Sequence, residues 1–275
     1  MAIGHFLSFA ALTGAVLQST PADPGLLQLL DSGDSAELRK EVGLRPDEVR
    51  RTFDELFFLS VNAADPHEGA RRLLQAEFLA GLYGEEWSDP VFVQVVARFK
   101  SWSPQERLEK LKADSLREAG RGAFFESGAE AAILLWEGSL AVYRALGDDA
   151  GQAAALGNLG SGFYALGEPE KALDYQGQSL EMAAAAGDHR LRGNALGNIA
   201  NVHKDLGDFD LASEFYGLAL ETRPLTGDRR GQAADLNNLG LVREVLGDLD
   251  GAEGHFLSAL ELNRRDGRFR ETATN

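Results

Sequence analysis

Leu156-Gly157-Asn158-Leu159-Gly160, Leu196-Gly197-Asn198-Ile199-Ala200 and Leu236-Asn237-Asn238-Leu239-Gly240 are one stretch met three times, 40 residues apart. The register extends outward from it. Leu166-Gly167-Glu168, Leu206-Gly207-Asp208 and Leu246-Gly247-Asp248 align, as do Ala172, Ala212 and Ala252, then Leu180, Leu220 and Leu260. A fixed period of this length marks a solenoid of stacked units, none of which covers its apolar face alone. Ala, Leu, Glu and Gly dominate while β-branched residues are sparse, so the units are helical and the fold class is all-α. Each unit divides into two helices at the Leu-Gly-Asp/Glu turn and joins the next at a Gly-Asp turn. Gly187, Gly227 and Gly267 stand where a second helix stops, a position suited to left-handed backbone. Small Gly160 and Ala172 let the paired helices approach, with Leu159, Phe163, Leu173 and Leu180 filling the space around them.

Composition narrows the function. The chain has 275 residues with 27 Lys and Arg against 43 Asp and Glu, a net charge of −16. That balance opposes the phosphate-neutralising surface nucleic-acid binding needs, so nucleic acid is excluded as a partner. The absence of cysteine removes disulfides, thiolate metal sites and thiol nucleophiles. No apolar run reaches the roughly 18 residues of a membrane span, so a cytoplasmic location and no membrane partner are expected. Ile3 to Leu17 form a moderately apolar run before Thr20-Pro21-Ala22. Residues 1–23 are therefore a signal-like or frayed segment, with export as the alternative, although no Lys or Arg precedes the run.

Residues 24–106 read as short helices forming an N-terminal cap or spacer without repeats. Asp65-Pro66, Asp89-Pro90 and Ser103-Pro104-Gln105-Glu106 each place a capping side chain before a proline suited to a first helical turn. Val49, Phe53, Phe57 and Phe58, then Leu73, Leu74, Phe78 and Leu82, recur at helical spacing. Val91-Phe92-Val93 with Val95-Val96 is rich in strand formers. Four units follow, at about 107–150, 151–190, 191–230 and 231–270. In the first, Ala119-Gly120, Ala132, Leu140 and Gly147-Asp148 keep the register only weakly, as terminal repeats do. Glu271-Thr272-Ala273-Thr274-Asn275 matches Gly231-Gln232-Ala233-Ala234-Asp235, so 271–275 reads as the start of a further, truncated repeat that could stack on a second chain.

A Leu-Gly pair, an aromatic, a turn glycine, a small Ala and a later Ala/Ser-Leu pair resemble the tetratricopeptide repeat over Arg107 to Arg270, about three fifths of the chain. The period departs from that family's 34 residues, and the extra six are expected to lengthen the second helix by over a turn. Units with Leu-Gly-Asn openings are similar to those of Pins-type spindle adaptors, and Asn237-Asn238-Leu239 is similar to kinesin light chain. Both resemblances imply an inner groove that holds extended peptides. Trp102 to Arg107, leading into Lys112-Ala113-Asp114, resembles the start of bacterial tetratricopeptide proteins that end in a CHAT peptidase domain, of which these residues contain nothing.

On the first helix of each unit, a 100° step puts Ala154, Gly157, Asn158, Ser161 and Ala165 on one side, the groove side by the resemblance. The third unit carries Asn194, Gly197, Asn198, Asn201 and Asp205 there with Lys204 nearby; the fourth carries Ala234, Asn237, Asn238 and Leu241 with Glu244. The ladder Asn158, Asn198, Asn238 admits two readings. Each amide donates and accepts, so the ladder can grip a peptide backbone; equally, it can satisfy backbone groups of the adjacent unit. Asn194, Asn201 and Asn237, not repeated in every unit, are the specificity candidates, and Glu118 breaks the ladder in the first unit. Arg190, Arg230 and Arg270, with Arg192 and Arg229, form either a cationic ridge or local partners for helix C-termini and for Asp188 or Asp228.

No catalytic motif completes itself. His67-Glu68 meets Arg71 where a zinc helix needs its second histidine, Gly160-Ser161-Gly162 is no hydrolase elbow, and Gly120-Arg121-Gly122 lacks a third dinucleotide glycine. No metal, cofactor or catalytic residue is expected. The sequence reads as a non-catalytic protein-interaction module whose groove takes a protein or peptide, with candidate contacts Asn158, Asn194, Asn198, Asn201, Lys204, Asn237 and Asn238. The alternative is the sensing arm of a larger CHAT-type peptidase.

Overall fold

Helix starts follow the capping side chains. The computed structural model describes residues 24–265, so the readings of 1–23, of Gly267 and Arg270 and of 271–275 lie outside the described residues. After α1 (Pro24–Ser32), Asp34 accepts the Glu37 N–H at 3.1 Å and opens α2 (Ser35–Leu44). The next helix, α3 (Pro46–Asn62), begins at a proline, and Asp65 opens α4 (Pro66–Trp87) by accepting the His67 N–H at 2.9 Å. The strand-rich stretch becomes α5 (Val91–Ser101), because Val91, Phe92, Val96 and Phe99 are buried together on one helical face. Here one expectation needs correcting. Pro90 stands outside the helix, not in its first turn, while Asp89 accepts the Val91 N–H at 3.1 Å from one residue further back.

These five helices share an aromatic core. Phe53 stacks on Phe92 at 4.1 Å between centroids, and Phe57 on Phe99 at 4.3 Å. In α4 the buried face is Ala76, Leu79, Ala80, Leu82 and Tyr83, leaving Leu74 and Phe78 exposed although both fit the helical spacing.

Ser103 and Glu106 form a reciprocal capping box that starts α6 (Pro104–Glu126), which pairs with α7 (Ala129–Leu146). Three further pairs follow: α8 (Asp149–Ala165) with α9 (Pro169–Ala186), α10 (His189–Leu206) with α11 (Phe209–Thr222), and α12 (Arg229–Val245) with α13 (Leu249–Arg265). A 3-10 turn, Arg223–Thr226, closes the third pair. Among the described residues the second helix is the longer one, by a single residue, in the second pair only: 17 residues face 18 there, 18 face 14 in the third and 17 face 17 in the fourth. The expected extension is therefore not confined to the second helix.

Close approach within a pair depends on one small residue facing one large one. A Cβ at Gly160 would sit 2.6 Å from Gln176 Nε2, and one at Gly240 would sit 2.6 Å from Phe256. Gly120 faces Trp136 in the same manner. The partners Trp136, Gln176, Tyr216 and Phe256 are themselves 40 residues apart.

Each inter-unit turn carries a buried aspartate that caps the next helix. Asp148 accepts from Gly151 N–H at 3.0 Å, Asp188 from Leu191 at 2.9 Å and Asp228 from Gly231 at 3.0 Å. Their cations come from three different places: Lys110 of α6 lies 3.4 Å from Asp148, Arg50 of α3 lies 3.8 Å from Asp188, and Arg223 contacts Asp228. The N-terminal helices thus run along the turns instead of merely stacking on the first unit. Arg98 donates to the Gly147 carbonyl at 3.0 Å, Gln94 adjoins Gly187, and the Trp87 ring lies on Gly227.

Candidate functional site

First helices of successive units touch one another, α6 to α8, α8 to α10 and α10 to α12, whereas second helices contact each other far less. The first helices therefore line the inside of the bend. Their exposed strip is the groove.

The structure brings Asn158, Asn194 and Asn198 to one pocket of about 170 Å³ between the second and third units, with Ser161, Gln176 and Arg223 in its wall. Asn201, Lys204 and Asn238 meet elsewhere. Asn238 Nδ2 donates to Asn201 Oδ1 at 3.1 Å, Lys204 Nζ donates to Asn238 Oδ1 at 3.4 Å, and Tyr216 OH donates to Asn201 Oδ1 at 2.6 Å. Asn237 joins neither group and is exposed.

The three rungs of the ladder differ accordingly. Asn238 bridges to the preceding unit, so its amide is engaged within the protein. Asn198 is half-buried and has no hydrogen-bond partner among the described residues, while Asn158 Nδ2 is buried and equally unpartnered. Asn194 Oδ1 accepts from Arg223 Nη1 at 3.0 Å. In the first unit Glu118 pairs with Arg121 at 3.1 Å.

Two pocket residues escaped sequence reasoning. Arg223 is 6% exposed, and its guanidinium contacts Asp228 and Asp235 on α12 as well as Asn194. Burial works against its charge, but Asp235 and Asp228 outweigh that and hold its pKa above the ordinary value. Arg223-Pro224 replaces Ala183-Ala184 of the unit before, and this departure was its signal. Gln176 is the other. It occupies the position that is Trp136, Tyr216 and Phe256 in the sister units.

The groove of the first unit is charged instead. Lys110 lies 2.5 Å from Asp114, Tyr143 OH donates to Asp114 at 2.8 Å, and Arg117 Nε reaches Tyr143 OH at 3.4 Å. Burial opposes the Lys110 charge, yet Asp114 and Asp148 overcome it and raise its pKa. Asp54 of α3 faces this cluster, and burial, then the Asp114 charge, pushes its carboxyl up to about 6. The arginines of the inter-unit turns do not make an even ridge: Arg190 is half-buried and acts electrostatically on Tyr83, while Arg230 is exposed.

Among the described residues no cluster of His, Cys, Asp and Glu is arranged to hold a metal ion, and no helix is long and apolar enough to cross a membrane.

Comparison with known proteins places this geometry. No curated protein matches the chain. Among solved structures, BtubC (BKLC) from P. vanneervenii superposes with a TM-score of 0.54 at 19% identity, over 82% of this chain and 92% of that one. Aspartyl phosphate phosphatase F from Bacillus subtilis gives 0.55 at 12% identity, over 98% and 78%. The apo form of RapI gives 0.53 at 13% identity, over 93% and 77%. At these identities the likeness is one of fold. The tetratricopeptide repeat model matches residues 123–185, 164–225 and 191–265. Those spans overlap into more than half of the sequence, and the chain belongs to the tetratricopeptide repeat family.

Proposed function

We propose that this protein is a non-catalytic interaction module that holds an extended protein or peptide segment in its inner groove, chiefly across the second and third units. The observation that carries the reading is the state of the ladder. Asn158 and Asn198 line the groove with hydrogen-bonding capacity that nothing in the fold uses, although Asn158 Nδ2 is itself closed to solvent, whereas Asn238 is tied to Asn201 and Lys204. A carboxamide can both donate to and accept from a peptide unit, so two such groups about one unit apart suit a backbone more than a particular side chain. Asn194, Asn201, Lys204 and Asn237 then supply selectivity around it. The net charge of −16 supports a protein partner over a nucleic acid.

The test is a random peptide library selected on the wild-type chain, followed by binding and melting of single variants. Asn198→Ala is expected to weaken the selected peptides at least about fivefold, the worth of one net hydrogen bond, without lowering Tm. Asn238→Ala is expected to lower Tm. Peptide binding that survives Asn158→Ala and Asn198→Ala together would remove the ladder as the gripping element.

A further inference from the structure

Leu166, Leu206 and Leu246 end the first helices of the second, third and fourth units, and they stay 38%, 51% and 47% exposed. Leu206 has a unit on either side of it, so its exposure is not an effect of the array's end. Leu249, which opens α13, is 64% exposed. Single exposed apolar side chains are ordinary, but a leucine repeated once per unit along one side of the molecule makes a row. The row lies at the intra-unit turns, a helix length of about 25 Å from the inter-unit turns that Arg98, Arg50 and Trp87 engage. Its rim is acidic. Across 164–171, 204–211 and 244–251, eight carboxylates stand against two lysines, and each lysine already has a carboxylate, Lys171 with Glu168 and Lys204 with Asp205. Asp208 has His203 at 3.3 Å and Asp248 has Arg243 at 3.7 Å, whereas Glu170, Asp210, Glu244 and Asp250 are exposed and have no cation paired with them among the described residues.

We propose that these turns form a second docking surface, separate from the groove, for a cationic amphipathic helix of a partner protein. First helices of successive units touch, which sets their ends about 8 to 10 Å apart. Seven residues of an α-helix rise about 10.5 Å, so a helix laid along the row meets one leucine per unit with an apolar side chain at every seventh position. That is the geometry by which an amphipathic helix settles on an apolar strip. Lys or Arg beside those positions lies against Glu170, Asp210 and Asp250, so the charges fix the sign of the partner while the leucines supply the buried area. An acidic helix, or a second copy of this chain at net charge −16, brings like charge to the rim. The first unit has Glu126 where the others have the leucine, so the apolar row begins at the second unit.

The experiment uses the full chain and three synthetic helices of three heptads each: one with Leu at every seventh position, Lys on both flanks and Ala elsewhere; one with each Leu replaced by Ala; and one with each Lys replaced by Glu. Affinities are read by fluorescence anisotropy, and the site is mapped by NMR shifts of backbone amides. The Leu-Lys helix is expected to bind at least about tenfold tighter than either of the others, to weaken as salt rises, and to shift the amides of Leu206 and Leu246. Leu206→Ser with Leu246→Ser is expected to weaken it at least about fivefold. Asp210→Lys with Asp250→Lys, which changes only exposed side chains without a cation partner, is expected to do the same and decides the matter if the serine variant does not fold. Equal affinity for the Leu and Ala helices would mean charge attraction alone and overturns the docking surface. Undiminished binding by either folded variant, or shifts confined to Asn158 and Asn198, also overturns it, the second outcome moving the helix into the groove. Self-association of the wild-type chain in sedimentation that Leu206→Ser with Leu246→Ser abolishes would assign the row to a second copy instead. A groove that binds no peptide leaves this surface standing, because the two use different residues.

Discussion

Arg223, in the turn that closes the third unit, forms a buried ion pair with Asp235 on the first helix of the fourth. The same guanidinium contacts Asp228 and Asn194, so one side chain joins two units, a helix cap and the groove wall. Removing one member of such a set leaves a buried charge uncompensated. Arg223→Ala is expected to cost about 3 to 5 kcal/mol in urea unfolding. Pairing Arg223→Met with Asp235→Leu should recover part of that, and only part, because Asp228 stays behind as the α12 cap. A single variant with an unchanged midpoint would remove the pair from any account of stability.

Gly227 and Gly207 have similar backbones, φ +64° and +85°, in different surroundings. A Cβ at Gly227 would stand 2.5 Å from the Trp87 ring, whereas one at Gly207 meets nothing within 4 Å. Gly207→Ala should therefore cost about 1 kcal/mol of conformational strain. Gly227→Ala should exceed it by about 1 to 3 kcal/mol of overpacking and should shift the Trp87 fluorescence. Equal costs in thermal unfolding would show that the Trp87 contact contributes nothing.

Arg50 lies 4.8 Å from the centre of the Phe92 ring, 3.1 Å from Tyr83 OH and 3.8 Å from Asp188. It joins the N-terminal helices to the turn between the second and third units. Arg50→Met keeps the stem but leaves Asp89, fully buried, and Asp188 without its charge. Amide exchange in α3 to α5 should quicken at least tenfold while α12 and α13 stay as protected as before. Uniform quickening along the whole chain would mean that the two parts unfold as one.

Asp54 sets a pH dependence with a definite sign. Its carboxyl is pushed up to about 6 from an ordinary 3.8, so between those values the folded chain holds a proton that the unfolded chain has released. The stability this group contributes is complete below about 4 and is lost as the pH rises through 6. The residue is itself exposed to solvent, whose screening mutes the size of the effect. Asp54→Asn should raise Tm at pH 7.5 and leave it unchanged at pH 4. A rise of equal size at both pH values would trace the effect to something other than the charge.

The repeating part of this fold was legible because its packing is periodic. Leu159, Ala172 and Gly187 recur with their counterparts at 40-residue intervals, and the buried faces and helix ends fall on them. The course of the N-terminal helices was not legible in the same way. Trp87 against Gly227 and Arg50 near Asp188 are single contacts between distant segments, and neither leaves a pattern. Leu74 and Phe78 had helical spacing, yet the α4 core is built on the neighbouring stripe of Ala76, Leu79, Ala80 and Tyr83. At the groove, the register located the asparagines but could not say which were already bonded. That depends on Arg223 and Tyr216, which approach from the second helix of the third unit and its closing turn. Gln176 was visible as an exception to an aromatic series, a signal that only a comparison among the units themselves reveals.

A solenoid whose plates touch only their neighbours behaves as a spring, and small rotations at each joint add along its length. Here Arg98, Arg50 and Trp87 fasten three successive joints from one side. The N-terminal helices act as a splint, and the spacing of Asn158 and Asn198 across the groove is held in part by residues 60 or more positions away.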